Sequence, residues 1–173
     1  MNRNLYIKYG VIGGVATVAL LLLFYAIGKE WMLHPAVQWS SLSVYAAFMY
    51  AAGRQAVAQL GNPESGATIP VLRATFAVFL IINAIYYVFY YILHQADPTL
   101  AVYQKEQYLE VIRRFTPPEK LETELERITQ ADFSATPGKL LMGYAQGAIG
   151  GFVLAFLTAF LASRGREIKG GSL

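Results

Sequence analysis

Four stretches of the chain are apolar for about the length of a bilayer-crossing helix, and short polar segments separate them. The last is the clearest. Between Lys139 and Arg164, residues 140–163 carry no formal charge. Within it Gly143, Gly147, Gly151, Ala155, Ala159 and Ser163 fall four apart, which lays one groove of small residues along a helix. Leu140, Leu141, Phe152, Leu154, Phe156, Leu157, Phe160 and Leu161 take the other faces. A small-residue ridge lets membrane helices approach closely, and this one is expected to pack within the chain rather than between copies.

The first predicted span covers residues 9–28. Gly10 and Gly14, with Gly13 beside them, give one end of it a small-residue face, and Leu20 to Phe24 form a bulky block. The run from Tyr9 to Gly28 is too long for the apolar region of a secretory signal, and no small-x-small cleavage site follows it. The second span, 36–53, is the least apolar, with Gln38, Ser40, Ser41 and Ser43, and is expected to be sheltered by the others. Residues Arg54 to Leu60 extend it, and Gln59 to Pro70 read as a loop from Gly61-Asn62-Pro63 and Gly66. The third span, 71–95, is strongly aromatic, with tyrosines crowding its second half, and Asp97-Pro98 ends it. Trp31 and Trp39 bracket the first connection, as rings at headgroup level do.

Residues 99–138 are the one sizeable segment outside the spans. Tyr103 to Phe115 has an amphipathic pattern, with Tyr108, Leu109, Ile112 and Phe115 on one side. Thr116, Pro117 and Glu119 then have the pattern of an N-cap, a first-turn proline and a capping glutamate, opening a second helix to about Gln130. The predicted architecture is an all-α integral membrane protein of one domain, residues 1–173. Four transmembrane helices, the last over 140–163, form a bundle, and two short amphipathic helices lie in the loop between the third and fourth.

Composition agrees. Hydrophobic residues make up 55% and charged residues 14% of the chain, against about 25% charged in a soluble domain. The net charge of +3 is scattered, which leaves no basic stripe for nucleic acid. The absence of cysteine excludes disulfides and thiolate chemistry. Cations divide evenly between the two sides of a four-span chain. However, Arg3, Lys8, Arg54, Arg73, Arg164 and Arg166 lie close to span ends, which places both termini in the cytoplasm.

Read in order, the chain resembles the small four-span membrane proteins of Bacteroidota and relatives grouped as domain of unknown function 4199. The residues carrying the resemblance are Lys8-Tyr9-Gly10 with Gly14, Asp97-Pro98, the charged two-helix loop, Lys139-Leu140-Leu141 with Gly143, and the basic end at Arg164 and Arg166. Where members often carry an aromatic and a small polar residue before the third span, this chain has Thr68-Ile69-Pro70. The resemblance implies a bacterial inner-membrane protein and supplies no catalytic residues.

The candidate polar residues inside the spans are Thr17, Ser43, Asn83 and Gln146. They are expected to make interhelical hydrogen bonds, with Thr17 and Ser43 at the depth of Asn83 and Gln146 level with Tyr90. Apart from Arg73 at the very start of the third, no Asp, Glu, Lys or Arg falls inside a predicted span, which argues against ion-coupled transport and proton relays. His34, His94, Glu30 and Asp97 are expected to be solvated at the outer face rather than to bind metal. Ser40 and Ser41 near His34 have nothing to orient them for catalysis. The leading expectation is a non-enzymatic scaffold, anchor or accessory subunit without cofactor or metal. It would sit in the lipid bilayer and dock a membrane or envelope protein partner through the 99–138 loop. The alternative is a small transporter or lipid-binding protein using a cleft around Asn83, Gln146 and the tyrosines of the third span.

Overall fold

In the computed structural model of the chain, residues 3–60 and 68–164 are described. They form helices α1 (Arg3–Ile27), α2 (Lys29–Leu33), α3 (Pro35–Gln59), α4 (Thr68–Ala96), α5 (Thr99–Phe115), α6 (Pro118–Gln130) and α7 (Pro137–Arg164), with no strand among the described residues. Among the described residues three stretches are long and apolar enough to cross a membrane, Asn4–Ile27, Ile69–Ala96 and Pro137–Arg164. At 25 residues α3 is as long as α1, but Gln38, three serines and Arg54 make it less apolar.

Several helices outrun the boundaries read from the sequence, each for a local reason. In α1 apolar residues resume beyond Lys8 with Leu5, Tyr6 and Ile7, and Tyr6 is buried. The start of α4 at Thr68 puts Pro70 in the first turn, where a missing N–H costs nothing, so residues 68–70 are helix rather than loop. The Gly61-Asn62-Pro63 and Gly66 breakers lie outside the described residues, as do Arg166 and the C-terminal tail. Helix α5 begins at Thr99 because Asp97 Oδ1 accepts from the Thr99 amide at 3.3 Å and the Thr99 hydroxyl at 2.6 Å. The capping box expected at Thr116 does not form. Thr116 closes α5 instead, its amide bonding Ile112 O, and Pro117 takes the cap position of α6 without a side-chain bond. The first connection holds α2, and His34 caps α3 by accepting the Ala36 amide on Nδ1 at 3.2 Å.

Helix α4 lies between α1 and α7, and α3 contacts all three. Close approach on both sides of α4 comes from glycine. On one side Gly10 and Gly14 of α1 meet Ile81 and Ile85, a parallel register of one turn per step. On the other, Gly143, Gly147 and Gly151 of α7 meet Tyr87, Asn83 and Phe79. The same antiparallel step continues to Ala155, whose carbonyl accepts from Thr75 Oγ1 at 3.0 Å. Ala155 and Ala159 are fully buried, so the small-residue ridge packs inside the chain, as rows of side chains four apart interdigitate.

Helix α3 converges with α7 at the end away from the cap. A Cβ on Gly53 would lie 2.9 Å from Ala162 Cβ, and Arg54 donates to Ala162 O at 3.3 Å. The main core, with Met49, Ala56, Val71, Val78 and Ile82, fills this half. A smaller core of Leu21, Met32, Val37 and Leu100 joins α1, α2, α3 and α5 at the opposite end. There α5 and α6 pack on each other as a cap, with Lys105 donating to Thr129 O, and α5 rests on α2.

Candidate functional site

Toward the cap α3 and α7 separate, and a cavity of about 620 Å³ opens between the helices and the cap. Its wall on α4 is Tyr86, Tyr87 and Tyr90, two adjacent positions and the next turn. Tyr86 and Tyr87 meet edge to face with ring centroids 5.2 Å apart, and Tyr87 meets Tyr144 of α7 in the same way at 6.2 Å. Gln38 and Trp39 line the α3 side, Gln104, Gln107, Tyr108 and Val111 the α5 side, and Asp132 to Ala135 with Lys139 the way into α7.

Phenol–amide pairs hold this wall. The Tyr86 hydroxyl donates to Gln38 Oε1 at 3.2 Å, and the Gln38 amide donates to Met32 O at 2.8 Å. The Tyr90 hydroxyl donates to Gln104 Oε1 at 2.8 Å, tying α4 to the cap. Tyr87, Tyr108 and Gln107 make no side-chain hydrogen bond among the described residues.

A second cavity, of about 470 Å³, continues the first along the groove between α3 and α7. The two share Gln38, Trp39 and Tyr86. The groove is mostly apolar, with Leu42, Tyr45, Phe79 and Leu154 in its walls and Asn83, Gly147, Gly150 and Gly151 along α4 and α7. It is open at the side between the two helices, with Trp39 at its rim 72% exposed.

The structure does not gather the four intramembrane polar residues into one cleft. Asn83 is buried, and its Nδ2 donates to Tyr144 O of α7 at 3.4 Å, an interhelical bond of the expected kind. Thr17 is buried but bonds Gly13 O of its own helix at 2.9 Å. Ser43 is exposed and bonds Ser40 O within α3. Gln146 is exposed and lines neither cavity. Both its depth and its direction around the helix differ from the expectation. Gly143 meets Tyr87 and Gly147 meets Asn83, so Gln146 lies near the depth of Asn83 rather than of Tyr90. It also sits about 100° around the helix from Gly147, away from the face that α4 covers. The cleft around Asn83 is completed instead by Gln38 and Ser41 of α3.

Two charged clusters fasten the cap. Asp97 Oδ2 pairs with Lys29 Nζ at 2.6 Å and accepts from the Tyr25 hydroxyl at 2.7 Å, while Lys29 also donates to Thr99 Oγ1 at 2.9 Å. One carboxylate thus joins α1, α2 and the start of α5. Lys29, then Thr99 and Tyr25, hold the Asp97 carboxyl well below the usual carboxylate range. At the other side Lys139 pairs with Asp132 Oδ2 at 2.6 Å, and with Ser134 it pulls the Asp132 carboxyl down likewise. Asp97 and His94 are therefore not solvated span-end residues. The Asp97 side chain is 13% exposed, and His94 is buried with its ring 3.9 Å from that of Tyr90.

Sequence reasoning found the tyrosines and Asn83 but missed Gln104, Gln107, Tyr108, Asp132 and Lys139 as parts of one cavity wall. Their signal is faint, since a polar side chain in an amphipathic loop helix looks like a solvated one until the loop is folded back. The serines of α3 bond carbonyls of their own helix, Ser40 to Val37 and Ser41 to Gln38, and none faces a base.

Long apolar helices, a glycine-packed interior and a cavity open to one side define a multi-pass helical membrane protein. The chain belongs to the family described as protein of unknown function (DUF4199), whose model matches residues 8–164. Comparison with curated proteins and with solved structures found no match.

Proposed function

We propose that this protein is a non-enzymatic membrane protein that holds one amphipathic, lipid-like molecule in the cleft between α3 and α7. Its apolar part would lie in the groove over Phe79 and Asn83, and its polar end in the tyrosine-lined chamber under the cap. In this reading α3 is a fourth span, despite its polarity, because Gln38 and Ser41 turn toward the cleft and the hydroxyls of Ser40 and Ser43 bond carbonyls of their own helix. The cation-rich end, with Lys8, Arg54, Arg73 and Arg164, then faces the cytoplasm across a bacterial inner membrane.

The observation that carries the reading is the continuity of the two cavities through Gln38, Trp39 and Tyr86. A polar chamber joined to an apolar groove that opens sideways matches the two ends of an amphiphile, and the combined size is that of a ligand site. The test is mass spectrometry of lipids that copurify in mild detergent. A defined lipid should be retained by the native chain and lost in Gly150→Trp, which fills the groove from a position with nothing within 4 Å. A native chain that carries only the bulk lipid mixture, unchanged by Gly150→Trp, would refute it.

A second reading, an accessory subunit docking an envelope protein through the cap, has one observation behind it. On α5, Phe115 is 74% and Val102 is 58% exposed. A stoichiometric partner lost in Phe115→Asp would favour that role.

A further inference from the structure

The charge of the chamber wall bears on which headgroup it would hold. Among the described residues Lys139 is the only cation lining the cavity, and Asp132 the only anion. Each is already satisfied by the other's neighbourhood. The Lys139 ammonium has three protons, and it donates to Asp132 Oδ2 at 2.6 Å, Asp132 O at 2.7 Å and Ser134 O at 3.1 Å. The Asp132 carboxylate accepts from Lys139, from the Ser134 hydroxyl at 2.7 Å and from the Ser134 amide at 2.9 Å. A phosphate entering the chamber therefore meets no free cation, and an ammonium meets no free carboxylate. What remains open is neutral: the Gln107 amide and the hydroxyls of Tyr87 and Tyr108. Amides and phenols donate to and accept from hydroxyl groups, and the flat ring faces offer apolar surface to the C–H side of a sugar.

We infer that the molecule held in this cleft is a lipid with an uncharged, polyhydroxylated headgroup, of the glycosylated diacylglycerol class. This rests on the lipid-binding reading above and adds the chemistry of the polar end. An anionic or zwitterionic phospholipid would have to desolvate its charge against a wall that cannot repay it.

The experiment uses the full chain in detergent, with three probes of matched acyl chains: a monoglucosyl diacylglycerol, phosphatidylglycerol and phosphatidylethanolamine. Binding is read by native mass spectrometry and by competition. The glycosyl lipid should bind about tenfold more tightly than either phospholipid, and Gln107→Leu should remove most of that margin, the worth of about one buried hydrogen bond. Asp132→Asn leaves Lys139 without its carboxylate and should raise phosphatidylglycerol binding severalfold while leaving the glycosyl lipid little changed. Equal binding of all three probes, or a native preference for either phospholipid, overturns the inference while leaving a lipid site standing. Failure of every probe to bind overturns the lipid-binding reading, and the inference falls with it. Intrinsic tryptophan fluorescence of each variant confirms that it is folded before it is scored.

Discussion

Adjacent glycines of α7 should respond to the same substitution with opposite signs. A Cβ on Gly151 would lie 2.0 Å from Phe79 Cε1 and 2.2 Å from Cζ, while one on Gly150 would have nothing within 4 Å. The Phe79 ring can yield only toward the groove it lines. It is 4% exposed, with Tyr45 at 5.4 Å on one side and Phe76 stacked at 6.5 Å on another. Forcing a methyl into such a contact costs about 1–3 kcal/mol by overpacking, and the better helix propensity of alanine returns about 1 kcal/mol. A 2.0 Å contact puts the cost in the upper part of that range, about 2–3 kcal/mol, so Gly151→Ala should destabilise by about 1–2 kcal/mol net, and more if the α4–α7 contact opens. Gly150→Ala keeps only the propensity gain and should stabilise by up to about 1 kcal/mol. The assay is reversible unfolding with sodium dodecyl sulfate in mixed micelles, followed by the fluorescence of Trp31 and Trp39. Phe79→Leu in the Gly151→Ala background should recover part of the loss, a coupling that a double-mutant cycle isolates. Equal shifts at the two glycines, or no coupling to Phe79, would refute the packing argument.

Three further outcomes follow from single contacts. Thr75→Val removes the hydroxyl shared between Leu72 O and Ala155 O, and should cost about 0.5–1.5 kcal/mol in the same unfolding assay. Leu100→Ala empties a fully buried position in the smaller core, costing about 2–5 kcal/mol, and hydrogen exchange should rise in α2 and α5 while the Met49–Val78 half stays protected. Asp97→Asn tests the cap cluster by pH. The Asp97 carboxyl titrates lower in the folded chain than when unfolded. Its contribution is thus complete above the ordinary carboxylate value of about 4 and is lost as pH falls below it, because the unfolded chain takes up the proton first. A stability profile taken from pH 6 downward should show a shallower acid limb in Asp97→Asn than in the native chain, and superimposable limbs would remove Asp97 from the account.

The glycine ridge was legible because a four-residue period of small side chains has few other uses in an apolar run, and its partner row on α4 follows the same period. The ends of the helices were less legible. Thr116 and Pro117 fit a capping box in pattern, but the chain turns one residue later, and no sequence rule separates those registers. The cavity was the least legible part. Gln146 looked inward because it is polar and mid-span, yet depth and azimuth both depend on the α4–α7 register, which the chain shows only when folded. Gln38 was visible chiefly as a weakness in its own helix.

That weakness is where the fold and the cleft meet. A helix carrying Gln38, Ser40, Ser41 and Ser43 is poorly suited to lipid on all sides, and packing against α1, α4 and α7 shields Ser41 and part of Gln38 while Ser40 and Ser43 stay exposed. The serines spend their hydroxyls on carbonyls of their own helix, which lowers their cost in an apolar setting without fixing a partner. Gln38 cannot do the same, because a carboxamide has several donors and acceptors to satisfy. It spans from Met32 O to the Tyr86 hydroxyl and so sets the width between α3 and α4 at the cap end. At the other end Gly53 and Ala162 let α3 and α7 touch. With α3 tied to α4 through Gln38 at its first turns and drawn onto α7 only at its last, a wedge is left between α3 and α7, so the cleft is a consequence of where this chain places its polar and its smallest residues.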